Sequence, residues 1–141
     1  MRLVLDSNEY IKGFGPEETH PAAHLLGRIS LEGKRLRLHV TRRIEKEVAR
    51  NLTETQMRLC HRFWRALGVE IDEESVIPGD VLAKYAERGL KIGDALIAAY
   101  AESKEVDILV SENRHFLALS GPLPFKVLNA GDVLKIIARP T

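Results

Sequence analysis

Arg2-Leu3-Val4-Leu5-Asp6-Ser7-Asn8 is the stretch whose reading decides the fold. Four residues suited to a β-strand run into three that favour turns and helix N-caps, so the carboxyl end of a first strand falls at position five or six. Outward from this junction the chain alternates. Leu36-Arg37-Leu38-His39-Val40 switches between apolar and polar with period two, the pattern of a strand covered on one face, which predicts an edge position. Val106 to Val110 is nearly continuous apolar sequence broken by Asp107 and reads as a strand buried on both faces. A further strand is expected through Phe125 to Leu128, and a weaker fifth over Gly68 to Ile71.

Helical spacing fills the intervals. Ala22, Leu25, Leu26 and Ile29 share one face within Pro21 to Ser30, and Ile44, Val48 and Leu52 share one in the next basic segment. Phe63, Trp64 and Leu67 form an aromatic-rich face suited to a core or a dimer interface. Val81 to Arg88 follows, then Ile92 to Ser103, which is apolar nearly all round and is expected to be central; Asp132 to Ala138 closes the chain. Strands alternating with helices predict an α/β fold: a mainly parallel sheet of about four to five strands with helices on both faces. Ligands in such sheets bind beyond the carboxyl ends of the strands.

With 141 residues, 45% of them hydrophobic, the expectation is a single domain spanning 1–141 around one core. The longest apolar run, Ala95 to Ala101, has seven residues against the ~20 of a membrane helix, and no basic segment leads into an apolar signal sequence, so a cytoplasmic protein with no membrane partner is expected. The lone Cys60 permits no internal disulfide and has no Cys/His cluster around it for a structural zinc. Net charge is only +1, but its distribution is uneven. Lys34 to Arg50 holds seven basic residues against two acidic ones, a stretch able to attract phosphate or to serve as an ordinary solvated face.

Three carboxylates stand out. Asp6 ends the first strand, and Asp94 leads into the most apolar helix; each can be a helix N-cap, and both are expected at the carboxyl edge of the sheet. In the basic helix a helical wheel brings Glu45 nearer the Ile44/Val48/Leu52 stripe than Glu47, and the pattern alone leaves the two open. An acidic cluster without Cys or His selects the hard cations Mg2+ or Mn2+ over zinc or copper. Such an ion would orient and acidify a water and offset charge developing on a phosphodiester.

These residues resemble the PIN-domain ribonucleases, in particular the toxin subunits of VapBC-type toxin–antitoxin pairs. Leu3-Val4-Leu5-Asp6-Ser7-Asn8 looks like that family's strand followed by Asp-Thr/Ser-Asn, Thr41 to Leu52 is similar to its second motif, Leu90 to Ala99 to its third, and Ile108 to Phe116 to its fourth. The resemblance covers almost the whole chain in order. It implies a PIN-like three-layer α/β/α domain, a magnesium- or manganese-dependent endoribonuclease acting on RNA, a homodimer, and a small antitoxin protein as partner. It selects Glu47 over Glu45, makes Asp6, Glu47 and Asp94 the metal ligands, and gives Asn8 and Ser111 supporting places, Ser111 as the hydrogen-bond partner that orients Asp6. Where many members carry a fourth acidic residue, this chain has Asn113 and His115. Asn113 brings a carbonyl ligand but no charge, which suits one firmly held metal better than two. His115 is read as a packing residue. Arg42 and Arg43 begin the helix of Glu47 and are expected to contact substrate phosphates. The rival reading is a PIN-like module that binds RNA or protein without catalysis. A haloacid-dehalogenase phosphatase is disfavoured by Asn8, where that chemistry wants Asp, and a receiver domain by the absence of an early acidic pair.

Overall fold

A computed structural model describes residues 1–119 and 121–138 of the chain. Its centre is two short parallel strands, β1 (Arg2–Leu5) and β5 (Ile108–Val110), in register from Leu3 opposite Ile108 to Leu5 opposite Val110. Successive side chains on a strand point to opposite faces, yet Leu3, Val4 and Leu5 are all fully buried, as are Leu109 and Val110. Both faces of the sheet are therefore covered. β2 (Arg37–Leu38) flanks β1 and β6 (Lys126–Leu128) flanks β5, giving a four-stranded, all-parallel sheet in the order β2-β1-β5-β6.

The covering helices form two groups. α1 (Ser7–Gly13) packs on α2 (Pro21–Glu32) and α3 (Arg42–Asn51), and α2 packs on α8 (Ala130–Ile137). α5 (Gly79–Glu87) packs on α6 (Ile92–Ser103), which lies on β5. α4 (Glu54–Ala66) follows α3 behind a Thr53/Gln56 capping box, and α7 (Arg114–Leu117) is a single turn. Within α6, Ala95 and the run from Ile97 to Ala101 are buried, in keeping with its apolar composition, while Ile92 stands exposed at its start. Trp64 joins the core, its ring edge-on to Tyr10 at 5.1 Å, whereas Phe63 is only partly buried against Phe14. No helix among the described residues is long and apolar enough to cross a membrane.

Two strand expectations need correction. The run from Leu36 to Val40 is not one edge strand: it divides at His39, after which β3 (Val40–Thr41) pairs in parallel with β4 (Ile71–Asp72). Backbone groups of successive residues in a strand point to opposite sides. The N–H groups of Arg37 and His39 donate to the carbonyls of Met1 and Leu3, so Val40 presents its own groups the other way, where β4 lies. The fifth strand starts at Ile71 rather than Gly68 because Gly68 and Val69 end α4. Gly68 adopts φ 70°, its N–H donates to the Arg65 carbonyl, and the Val69 N–H donates to that of Trp64. This is the left-handed closure that glycine favours.

The same closure ends α6 without a glycine. Glu105 takes φ 53°, with its N–H donating to Glu102 and that of Val106 to Ala101. A side chain in this region costs roughly 1–2 kcal/mol. Glu105→Gly is therefore expected to raise stability by ~0.5–1 kcal/mol after the greater chain entropy of glycine is subtracted. Urea unfolding measures this, and a variant no more stable than its parent refutes it.

Candidate active site

From β1 the sheet extends outward to β2, and from β5 outward to β6, so a crevice opens between the carboxyl ends of β1 and β5. Asp6 stands at its mouth. Its N–H donates to the Val110 carbonyl at 2.9 Å, continuing the β1–β5 ladder, and its side chain turns across the crevice. Oδ2 accepts from Ser111 Oγ at 2.9 Å, and Oδ1 accepts from the Ser7 N–H at 2.8 Å as the cap of α1. The carboxyl is buried, and that burial pushes its pKa up to about 6. The bonds from Ser111 and Ser7 pull it down, and the neighbouring charges of Glu47 and Asp94 raise it further.

Glu47 comes from the middle of α3, where its Oε2 accepts from Ser7 Oγ at 3.1 Å. Glu45 is engaged elsewhere: it accepts from Arg42 Nη1 at 2.6 Å and lies 3.1 Å from His61 Nε2. Asp94 sits in the first turn of α6, and Asn113 Nδ2 donates to its Oδ2 across a long 3.5 Å. The Asn113 N–H donates to Ser111 Oγ at 3.0 Å. One continuous string of hydrogen bonds thus joins the three carboxylates, from Asp94 through Asn113, Ser111, Asp6 and Ser7 to Glu47. Asn113 faces the site with its amide nitrogen because its carbonyl oxygen caps α7, accepting from the His115 N–H at 2.9 Å. Asn8 is exposed on the first turn of α1, and His115 is exposed on α7.

The donors suit a hard divalent cation: three carboxylates, one of them desolvated and raised in part by the other two, a repulsion that a cation removes. As the side chains stand, no three His, Cys, Asp or Glu groups among the described residues converge closely enough to hold an ion. Two buried polar side chains that follow Asp6 on α1 were not foreseen from sequence. Ser7 bridges Asp6 to Glu47, a role that depends on α3 lying beside α1. Glu9, one turn after Asp6, is only 1% exposed, and neither carboxylate oxygen has a hydrogen-bond partner among the described residues.

The basic stretch does not form one patch. Lys34 and Arg37 line a cleft of about 600 Å³ with His39, Asp72 and Lys104, alongside β2 and β4. Arg35 pairs with Glu32, and Arg42 is held between Glu45 and Glu73. Of the two arginines expected to meet phosphate, only Arg43 lies against Gly93, next to Asp94.

No family model matches the chain, and no curated protein matches its sequence. Solved structures do. A chain in the crystal structure of VapBC2 from Rickettsia felis bound to a DNA fragment from their promoter superposes with TM-score 0.61 at 18% identity, covering 92% of this chain and 98% of that one. PAE2754 from Pyrobaculum aerophilum gives TM-score 0.61 at 20% identity, covering 98% of this chain and 90% of that one. At such identities the likeness is one of fold, and the chain has a PIN-like α/β fold around a parallel four-stranded sheet.

Proposed function

We propose that this chain is a divalent-metal-dependent endoribonuclease, acting as the toxin of a toxin–antitoxin pair. The observation that carries the reading is geometric: a hydrogen-bonded string at the carboxyl edge of the sheet links Asp6, Glu47 and Asp94, with Asp6 buried at the switch point. Oxygen donors of this kind suit a hard divalent cation, whose charge would offset the cost of burying an ionised Asp6. Asp6, Glu47 and Asp94 would hold Mg2+ or Mn2+, which when bound supplies an acidified water and offsets charge on the phosphodiester. Ser111 and Ser7 fix the two oxygens of Asp6, and Ser7 steadies Glu47. Asn113 is assigned to orienting Asp94 rather than to ligation, since its carbonyl is committed to α7. The same reading takes a small antitoxin protein as partner and a homodimer as the assembled form, by analogy with the VapBC2 neighbour for the former.

The test is cleavage of single-stranded RNA by the purified chain in Mn2+ or Mg2+ against the same reaction with a chelator. Cleavage that requires the cation is expected. Equal cutting in chelator, or no cutting with either ion, overturns the proposal. One observation favours a second reading: the carboxylates do not converge on an ion-sized point as they stand, which suits a PIN-like module that binds RNA or protein without catalysis. That module would bind its partner and cut nothing.

A further inference from the structure

We propose that Gly93 and Arg43 form a phosphate clamp beside the carboxylates, in which the missing side chain at Gly93 lets the Arg43 guanidinium lie across the first turn of α6 and grip an RNA phosphate next to Asp94. The clamp rests on the ribonuclease reading above and adds to it the group that holds the substrate.

Three observations meet at this point. A Cβ built on Gly93 would stand 3.1 Å from Arg43 Nη2, 3.7 Å from Nε and 3.8 Å from Cζ, so three atoms of the guanidinium cover the glycine closely. The three atoms nearest the space an alanine methyl would fill all belong to this guanidinium. The root of Arg43 is also fixed: its backbone N–H donates to Glu74 Oε1 at 2.6 Å at the start of α3. Finally, Arg43 is exposed and its guanidinium pairs with no carboxylate among the described residues, whereas its neighbour Arg42 is taken up by Glu45 and Glu73. An unpaired planar fork of N–H donors beside a cluster of carboxylates is suited to a bidentate phosphate contact. It also offsets the repulsion that those carboxylates exert on an approaching polyanion.

The experiment is fluorescence anisotropy of a labelled single-stranded oligoribonucleotide over a salt series with divalent cations chelated, alongside cleavage assays in Mn2+. Arg43→Ala is expected to weaken binding roughly tenfold and to reduce the slope of log affinity against log salt by about 0.7, one phosphate contact on a single strand. Arg43→Lys restores the salt slope but not the full affinity, because a point charge replaces the fork. Gly93→Ala, a substitution that helices favour, weakens binding in the parent yet adds nothing in the Arg43→Ala background, since both changes remove the same contact. An unchanged salt slope in Arg43→Ala, or a Gly93→Ala penalty of equal size with and without Arg43, overturns the clamp. Should the parent bind and cut RNA while Arg43→Ala binds equally well, the clamp alone falls. A parent that neither binds nor cuts RNA removes the ribonuclease reading and the clamp with it.

Discussion

Asp6→Asn and Asp94→Asn are each expected to lower metal-dependent RNA cleavage at least roughly 100-fold, because loss of a mere second-layer partner of a metal site already costs 10–100-fold. The fold is expected to survive both. An Asn at position 6 still offers an oxygen to the Ser7 N–H and a polar group to Ser111, the two contacts the carboxylate makes. For Asp6 the stability effect has a definite sign. Its carboxyl rises from 3.8 to about 6 on folding, so the folded state binds the proton more tightly than the unfolded chain. Stability present at low pH is then lost as pH climbs from about 4 to about 6, and above that the ionised side chain costs the metal-free protein up to about 3 kcal/mol. Asp6→Asn removes that cost. At pH 7 the metal-free variant is expected to melt above its parent, with the difference closing below about pH 4. Mn2+ should raise the melting temperature of the parent and not that of the variant. Cleavage at the parental rate by both variants would show the site to be wrongly assigned; a variant that loses activity and also melts far below the parent would show that Asp6 acts structurally.

How much of this was legible beforehand depends on the range of the interaction involved. The junction at Leu5 and Asp6 is local, a strand run meeting a cap residue, and it gave both the start of the sheet and the position of one carboxylate. Helix α6 was equally plain, since an all-round apolar surface needs no partner to be recognised. Glu45 and Glu47 show the limit. The wheel correctly turns Glu45 toward the packed side of α3, but what awaits it there is His61 of α4 and its own neighbour Arg42, which no periodicity of α3 contains. Arg42 and Arg43 are alike in sequence and are separated by what reaches each of them, Glu73 for one and the bare surface of Gly93 for the other. The partner change at His39 is hidden for the same reason: the alternation is continuous, and only the position of β4 breaks the run in two. The orientation of Asn113 depends on α7, whose four residues are too few to carry a helical pattern.

Glu9→Met is expected to raise stability by ~1–3 kcal/mol, the scale of an unsatisfied buried polar group, although replacing a fully buried residue ordinarily lowers it. Glu9 occupies the third position of α1 behind the cap residue Asp6, where a glutamate commonly reaches back to the N–H of the cap. Here that N–H is already donated to the Val110 carbonyl, because Asp6 belongs to the sheet as well as to the helix. The carboxylate is left in the interior with neither oxygen bonded among the described residues. Methionine has similar length, is apolar, and adapts its rotamers to an irregular space, so it removes the polar burden without opening a cavity. Glu9→Gln keeps that burden and is expected to stay well below the Met variant, so the gap between the two measures the cost of burying the polar head. Urea unfolding of the metal-free proteins at neutral pH decides the matter, and a Met variant less stable than the parent by 1 kcal/mol or more, roughly the worth of one satisfied hydrogen bond, would show that Glu9 has found a partner in solution. Glu9 makes none of the bonds in the string from Asp94 to Glu47, so the stabilised Met variant should still cut RNA in Mn2+. On the proposed reading the carboxylate at position 6 serves the metal site and the one at position 9 is a cost of the fold, although a single helical turn separates them.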